Sequence, residues 1–517
     1  MGYQLHSMQK ESSNKRILRN TVYLYFRMIL SMAVSLYTSR VVLDVLGVSD
    51  FGIYNVIGGV VVLISIINNS MSAATQRFIT FELGKGDLQR VSNTFSMSMS
   101  IHFLICILVF LLGETLGVYY VDNYLNVPAD RMNAAFWLFQ ISLVTLFFNI
   151  IRIPYHASII AYEKMDFFAI ISIIEVFLQL AIVFLLTILD IDKLILYGLL
   201  ILVVTAVSTC AYSIYCKKVF STCRYYWFYD KSYFKELTSF LGWNFVGAIG
   251  TTGTNQIGNM LVNYYCGPVI NATYGVANRV NMAIAGFTNS FQVAYTPQIT
   301  KLYSQGKTEE LFRLMNRSAL LSFYLLFVIA APLCFYLDYI LGIWLVEVPP
   351  YASTFIIFLI TYNLIDSVQA PFWKVITATG NIKYYEIWLN LLLMLNIPLT
   401  YYFLKNDFPP YIVVIVSTFI NFISAVVRTV HVKIQVGVSI REYVKDVILK
   451  VVTISALYIL PVLLFREQVV QASFGLFMLF YVASAIYILT MAVTIGISKD
   501  DRRVIMKLVK SKILKNK

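Results

Sequence analysis

Long apolar runs, separated by short polar stretches, follow one another along almost the whole chain. Each run holds about 20 residues or more, which is enough for a helix to cross a hydrocarbon layer of about 30 Å. The runs lie at 17–43, 51–80, 91–117, 132–160, 166–189, 193–216, 236–264, 272–300, 310–337, 351–379, 384–404, 409–434, 443–465 and 470–497. The pattern predicts an all-α integral membrane protein with about 14 transmembrane helices.

Composition agrees with this prediction, because 59% of the 517 residues are hydrophobic and only 13% are charged. Soluble proteins carry about 25% charged residues. No cleavable signal precedes Thr21, so we expect the first span to act as its own insertion signal. The chain contains no GxxxxGK[ST] sequence, and its Cys and His residues show no zinc-ligand spacing. We therefore expect no catalytic residues, no cofactor and no metal site.

The basic residues predict the orientation of the chain in the membrane. With the N-terminus in the cytoplasm, the inner loops and tails hold 31 Lys and Arg residues against 5 in the outer loops. The outer ones are Arg40, Arg131, Lys193, Lys405 and Arg466. This positive-inside bias places both termini in the cytoplasm and explains the net charge of +13 by topology, without nucleic-acid binding.

The chain also repeats itself at an offset of 220 residues. Residues 47–86 overlay residues 267–306 without a gap, with 11 identities in 40 positions, where about three are expected by chance. The identical pairs are Gly47/Gly267, Tyr54/Tyr274, Val56/Val276, Val60/Val280, Ile64/Ile284, Asn69/Asn289, Ser70/Ser290, Ala74/Ala294, Ile79/Ile299, Thr80/Thr300 and Gly86/Gly306. The repeated segments contain the second and eighth spans, which cross in the same direction, so the repeat is parallel.

The repeat predicts two six-helix lobes related by an axis along the membrane normal, with two further helices outside the repeat. The predicted parts are an N-lobe at 1–217, a cytoplasmic interfacial linker at 218–235, a C-lobe at 236–434, a helix pair at 435–497 and a basic cytoplasmic tail at 498–517. Aromatic residues beside Arg224 favour a linker that lies in the headgroup layer.

Matched glycines flank the repeated helices. We expect Gly47 and Gly267 to cap the loops that enter these helices, and Gly86 and Gly306 to lie in the loops that leave them. The remaining shared positions are mostly small, amide and apolar residues, which are typical of helix packing.

Two local sequences carry a resemblance to a known family. Residues 39–54, SRVVLDVLGVSDFGIY, resemble the segment that joins the first two helices of polysaccharide flippases, and residues 76–87 resemble the end of their second helix. The chain is therefore similar to the Wzx-like, O-antigen and capsule branch of the multidrug/oligosaccharidyl-lipid/polysaccharide (MOP) exporter superfamily. Together with the 14 spans, the resemblance covers essentially the whole chain and implies a MATE-like fold.

The resemblance implies a transporter in the bacterial inner membrane. Its substrate would be an undecaprenyl-diphosphate-linked oligosaccharide, moved from the cytoplasmic to the periplasmic leaflet by alternating access, for O-antigen lipopolysaccharide, capsule or exopolysaccharide assembly. A polysaccharide polymerase and glycosyltransferases are the implied partners, and coupling to H⁺ or Na⁺ stays open. The alternatives are a drug exporter or another lipid exporter of the superfamily, including a lipid II-type flippase. A membrane polysaccharide polymerase would need a sizeable outer loop, and the outer connections are short.

Six ionisable residues lie within the predicted spans. They are Arg27, Arg152, Glu175, Arg279, Asp366 and Lys374. Each costs at least about 2.5–3.5 kcal/mol at a lipid-facing helix centre, so we expect them to face the protein interior. The four cations are candidate ligands for the diphosphate and sugar, because Arg grips phosphate oxygens in pairs. The two carboxylates are candidate coupling groups or charge partners.

Alternatives remain open for each of these residues. Arg27 and Arg279 lie roughly 10–12 Å deep, on different lobes and opposite sides of the midplane, and each faces a cavity or snorkels to the headgroups. Arg279 aligns with Gly59 in the repeat and is therefore not part of the shared scaffold. Arg152, near the inner third of its helix, has the same alternatives.

The carboxylates have a structural and a functional interpretation. Glu175 is expected to pair with Arg27 or Arg152, or to couple protons. Asp366 and Lys374 are eight residues apart on one helix face, too far for a direct ion pair without a kink. A structural ion pair and a cation- or proton-coupling site are both open for them.

Overall fold

The structure, a computed structural model, describes residues 13–124, 128, 130–189, 191–345, 348–464 and 474–496. Within these ranges the chain is almost entirely helical and contains no strand. The predicted all-α membrane fold is confirmed. The predicted basic tail at 498–517 lies outside the described residues.

The helices follow one another with short connections. They are α1 (Ser13–Lys85), α2 (Leu88–Leu112), α3 (Val118–Tyr124), α4 (Met132–Ala161), α5 (Met165–Ile188), α6 (Lys193–Val219), α7 (Lys231–Ser304), α8 (Thr308–Phe335), α9 (Leu337–Trp344), α10 (Ala352–Thr379), α11 (Lys383–Met394), α12 (Asn396–Lys405), α13 (Ile412–Val436), α14 (Ile440–Tyr443), α15 (Leu449–Leu464) and α16 (Phe474–Met491). Single π-helical turns follow α2, α14 and α16, at Gly113–Gly117, Val444–Ile448 and Ala492–Gly496.

Over its described residues and to within a few positions, each predicted span is helical. In the described ranges, 10 helical segments are long and apolar enough to cross a membrane. Helices α1 and α7 are not among the 10, but each covers two predicted spans. Their 73 and 74 residues far exceed the roughly 20 residues that one crossing requires.

The glycines of the repeat behave alike at one end and differently at the other. Gly86 and Gly306 both have positive φ, 82° and 70°, and end α1 and α7 in the left-handed region that glycine adopts without strain. Gly267, with φ 82° and ψ 174°, breaks α7 where the loop was predicted. Helix α1, in contrast, continues through Gly47, so the matching loop was not found there.

The predicted span at 384–404 is divided into two helices. Leu395 separates α11 from α12, and Pro398 is the third residue of α12. Proline has no backbone N–H to donate to the preceding turn, so it is accommodated where a new helix begins. The break therefore has a local cause in the sequence.

Two compact units are distinguished by their internal contacts. The first contains residues 1–249, 293–307 and 380–386, and the second contains 250–292, 308–379 and 387–517. Helix α7 contributes its two ends to the first unit and its middle to the second. The lobe boundaries inferred from the repeat remain predictions.

The first unit has packed clusters near both ends of its helices. One contains Phe95, Tyr155 and Tyr212, and next to it Tyr162 stacks on Phe220 with ring centroids 4.0 Å apart. Another joins α1 to α3, α4 and α6 around Leu138. Because lipid tails are as apolar as these side chains, close van der Waals packing and hydrogen bonds hold such helices together.

The second unit is packed around one larger cluster. Phe355 of α10 is fully buried and contacts Tyr274 of α7, with ring centroids 5.5 Å apart. Leu326 of α8 and Val413 of α13 belong to the cluster. Leu337 of α9 and Leu404 of α12 also belong to it, so six helices of this unit share one core.

The predicted linker is non-helical at 220–230 and follows the surface of α2. The Tyr226 hydroxyl donates to the Asn93 side-chain oxygen, and the Tyr225 ring lies 6.3 Å from that of Phe103. Trp227 extends away with 80% of its surface exposed. Such exposed aromatics fit the headgroup layer predicted for this segment.

Candidate functional site

A charged network connects α4 and α5 in the first unit. The Arg152 guanidinium donates to Glu175 at 2.7 Å and to the Asn149 side-chain oxygen at 3.1 Å. The same guanidinium lies 5.7 Å from the centroid of the Tyr212 ring. Of the two partners predicted for Glu175, the structure therefore pairs it with Arg152.

Arg27 of α1 lies beside this network without an ion pair among the described residues. Its guanidinium lies 4.7 Å from the centroid of the Phe168 ring, within the range of a cation–π contact. The ring of His156 lies edge-on to Phe168 at 5.0 Å. Its Nε atom donates to no described residue, so Arg27 contacts an aromatic face and keeps a donor for another partner.

Arg279 of α7 is exposed, and no described residue forms an ion pair with it. It belongs to the second unit, whereas Arg27 belongs to the first. The structure therefore does not bring Arg279 and Arg27 together within one compact unit. The roles predicted for the two residues remain predictions.

In the second unit, Asp366 has a partner that the sequence did not indicate. Arg428 of α13 donates to Asp366 of α10 at 2.8 Å. Lys374, on the same helix as Asp366, lies within electrostatic range of that carboxylate but forms no ion pair with any described residue. Arg428 is one of the 31 basic residues that the predicted topology assigns to the inner loops and tails, because it is close to the end of the apolar run at 409–434.

A second residue missed by sequence reasoning is Glu163, in the turn between α4 and α5. Its side chain is completely buried, with 0% exposure, and lies 2.6 Å from both Arg16 and Lys301. Gln298 also donates to it at 2.6 Å. A loop carboxylate gave no reason to expect burial, since burial follows from the approach of the start of α1 and the end of α7.

A third cluster lies at the opposite helix ends of the first unit. Arg131 precedes α4 and donates to both Asp50 of α1 and Asp192 at the start of α6. The hydrogen bond to Asp192 raises the pKa of Arg131. Burial opposes ionisation of Asp192, but hydrogen bonds from Arg131 and from the Ile195 backbone outweigh it, so the pKa of Asp192 lies below its ordinary value. Arg131, predicted only as an outer-loop cation, thus connects three helices.

The intramembrane charges therefore divide into two classes. Both predicted carboxylates, Glu175 and Asp366, are engaged by an arginine. Among the predicted cations, Arg27, Arg279 and Lys374 have no ion pair with a described residue. In the described ranges, no group of three or more His, Cys, Asp or Glu side chains is arranged to hold a metal ion.

Comparison with protein-family models gives two matches. Residues 17–303, more than half of the chain, match the model described as polysaccharide biosynthesis protein. Residues 245–402 match the MatE model. No curated protein sequence matches the chain.

Comparison with solved structures gives the fold. A MATE protein crystallised in complex with MaD3S is similar with a TM-score of 0.70 and 13% identity, covering 83% of this chain and 97% of that one. The outward-facing conformation of a multidrug resistance MATE family transporter of the MOP superfamily is similar with a TM-score of 0.71 and 12% identity, covering 83% and 96%. A MOP superfamily transporter from Pyrococcus furiosus, described as having a binding pocket of reverse polarity, gives a TM-score of 0.67 and 12% identity, covering 83% and 97%.

The helical fold and these matches define a membrane transporter of the MOP superfamily. Within that class, the chain belongs to the polysaccharide biosynthesis protein family.

Proposed function

We propose that this transporter is a flippase for an undecaprenyl-diphosphate-linked oligosaccharide. It moves the substrate from the cytoplasmic to the periplasmic leaflet of the bacterial inner membrane by alternating access, and it supplies the assembly of O-antigen, capsule or exopolysaccharide. Both termini lie in the cytoplasm. Glycosyltransferases act before the flippase, and a polymerase acts after it. Membership of the polysaccharide biosynthesis family supports this proposal.

One observation supports the substrate class most directly. Glu175 and Asp366 are each engaged by an arginine, so the cations left without an ion pair among the described residues are Arg27, Arg279 and Lys374. A cation in an apolar environment is costly unless an anion or water accompanies it. An anionic diphosphate provides such a partner, and the planar guanidinium binds its oxygens in pairs.

The test replaces Arg27 or Arg279 by alanine in a strain whose own copy is deleted. We expect each variant to reach the membrane fraction in normal amount but to lose surface polysaccharide, with the lipid-linked oligosaccharide accumulating inside the cell. The matched control is Arg313→Ala, because Arg313 is 71% exposed and its ion-pair partner among the described residues is Glu309, one turn away. Normal surface polysaccharide in both the Arg27→Ala and the Arg279→Ala strains would contradict the role assigned to the two arginines.

A drug exporter is the second candidate, supported by the MatE match at 245–402. In that case, deletion of the protein would increase sensitivity to cationic drugs and leave surface polysaccharide unchanged. An exporter of organic cations gains from free carboxylates, whereas here both predicted carboxylates are engaged. The flippase is therefore the better-supported function. Surface polysaccharide and drug sensitivity, measured in the same deletion strain, distinguish the two.

A further inference from the structure

A cavity of about 360 Å³ lies within the first unit, apart from the intramembrane charges described above. The inner end of α1, the start of α2, the linker and the first turns of α7 form its wall. The lining residues are Arg77, Phe78, Phe81, Glu82, Lys85, Arg90, Asn93, Phe228, Asp230, Ser232, Tyr233 and Glu236. Its volume is within the range of about 300–1,000 Å³ that is typical of small-molecule sites.

The charges of this cavity are balanced. Three of its lining side chains are cationic and three are carboxylates, and they approach one another only loosely. Arg77 lies 4.0 Å from Glu236, and Arg90 lies 3.9 Å from Glu82. A ligand with several charges of one sign would gain from one set and be repelled by the other. The lining therefore favours an uncharged ligand.

One buried acceptor indicates what that ligand must donate. The Glu82 side chain is only 4% exposed, and its Oε2 atom accepts no hydrogen bond from any described residue. Buried polar atoms are normally satisfied, and an orphan acceptor calls for a donor from outside the protein. An ionised phosphate oxygen cannot donate this hydrogen bond to Glu82, because it only accepts hydrogen bonds. A hydroxyl group does both.

Aromatic faces provide the other half of the lining. Phe78, Phe81, Phe228 and Tyr233 surround the cavity, and Phe78 and Tyr233 meet edge-on with ring centroids 6.0 Å apart. Lys85 already lies over the Phe81 ring at 4.4 Å. Apolar ring faces next to hydrogen-bonding groups match a molecule with C–H faces and a rim of hydroxyls.

We propose that this cavity binds uncharged sugar residues. The inference rests on the proposed function, and it places the sugars of the lipid-linked substrate at the end of the first unit that is predicted to face the cytoplasm. Glu82 accepts from a hydroxyl, Arg77 and Arg90 donate, and the Phe228 ring covers a sugar face. Recognition of the sugar here is separate from recognition of the diphosphate by the intramembrane arginines.

The test measures binding of neutral sugars to the full-length protein in lipid nanodiscs. The probe is a mixture of glucose, galactose, N-acetylglucosamine and maltose, observed by saturation-transfer NMR. We expect transfer to the ring protons of at least one sugar, and we expect Phe228→Ala to weaken its binding about tenfold, equivalent to about 1.4 kcal/mol. Trp227→Ala is the matched control, because this adjacent aromatic residue is 80% exposed and does not line the cavity.

A second variant and two competitors complete the test. Glu82→Gln keeps the size of the side chain but weakens the acceptor, so it should also reduce sugar binding if Phe228→Ala does not fold. Excess pyrophosphate or tetraphenylphosphonium should not displace the sugar. Displacement by either, no transfer to any sugar, or equal binding by wild type and both variants would overturn the inference.

The outcomes separate this inference from the proposed function. If Arg27→Ala and Arg279→Ala abolish surface polysaccharide while no sugar binds, the cavity assignment fails and the flippase stands. If the arginine variants keep normal surface polysaccharide, the substrate role of those arginines fails regardless of the NMR result.

Discussion

Among single residues, the pairing of Asp366 with Arg428 changes the interpretation of the charges in the second unit. The sequence related Asp366 to Lys374, since both lie on one helix, and left a structural pair and a coupling site open. The observed partner comes from α13, 62 positions away, at 2.8 Å. The ion-pair interpretation is therefore favoured for Asp366, and Lys374 becomes the cation to test for substrate binding.

This pair leads to a prediction about stability. Arg428→Met should leave the Asp366 carboxylate without its donor and lower the free energy of unfolding by about 1.5–3 kcal/mol, the usual contribution of a hydrogen bond to a charged group. Adding Asp366→Asn removes the orphan charge and should recover most of the loss. Thermal unfolding of the purified variants measures both effects. A double variant as unstable as Arg428→Met would show that the carboxylate was not the cause.

The same residue shows where sequence reasoning reaches its limit. Spacing along one helix indicates which side chains share a face, so it relates Asp366 to Lys374. It does not indicate how α10 and α13 pack, and this packing brings Arg428 to Asp366. For Glu175 the sequence indicates two candidate partners, Arg27 and Arg152, and the packing of α4 against α5 selects Arg152.

At the level of elements, the helices were well predicted because continuous apolar runs leave the backbone no alternative in a membrane. Gly267 and Pro398 mark local breaks through their own backbone preferences. The contacts of the turn between α4 and α5 were not predictable in this way. Glu163 is polar, lies in a short connection, and is buried only because two distant helix ends surround it.

Glu163 connects three elements, so its charge should hold their ends together. Glu163→Gln keeps the shape but removes the charge that faces Arg16 and Lys301. We expect backbone amide hydrogens at 13–20 and 298–304 to exchange about tenfold faster, equivalent to about 1.4 kcal/mol of local stability. Hydrogen–deuterium exchange with mass spectrometry measures this change.

A surface carboxylate provides the control for this experiment. Glu309 is 88% exposed and pairs with Arg313 one turn away, and such exposed pairs contribute little. Glu309→Gln should therefore leave exchange unchanged at all three elements. If Glu163→Gln also left exchange unchanged, the charge of Glu163 would not be what stabilises the start of α1 and the end of α7.

In the molecule as a whole, residues that correspond to each other in the two copies of the sequence repeat are in contact. Gly84 near the end of α1 and Ser304 at the end of α7 are related by the 220-residue offset, and they lie against each other in the first unit. Gln305 also donates to the Gly84 carbonyl at 3.1 Å. Residues that are equivalent in two copies come into contact where the symmetry axis of the repeat passes. We therefore expect the axis predicted for the repeat to pass between these ends of α1 and α7.

The close approach predicts a specific defect. A Cβ atom added to Gly84 would overlap the Ser304 hydroxyl and lie 3.0 Å from the Lys301 Cα. Gly84→Ala should therefore lower stability by about 1–3 kcal/mol, as overpacking does elsewhere. Ser304→Gly removes the overlapping atoms and should restore most of the loss in the double variant. Thermal unfolding of the four proteins in this mutant cycle measures the coupling, and additive effects would contradict the contact.

The contact between Gly84 and Ser304 also constrains how the two halves of the chain diverge. After a duplication, most positions in one copy change without regard to the other copy. Two equivalent positions that touch each other do not have this freedom, since a larger side chain in one requires a smaller one in the other. Among relatives of this protein, we therefore expect the residue sizes at positions 84 and 304 to vary inversely. Glycine should occur at position 84 in some relatives and at position 304 in others, and it should not be absent from both positions.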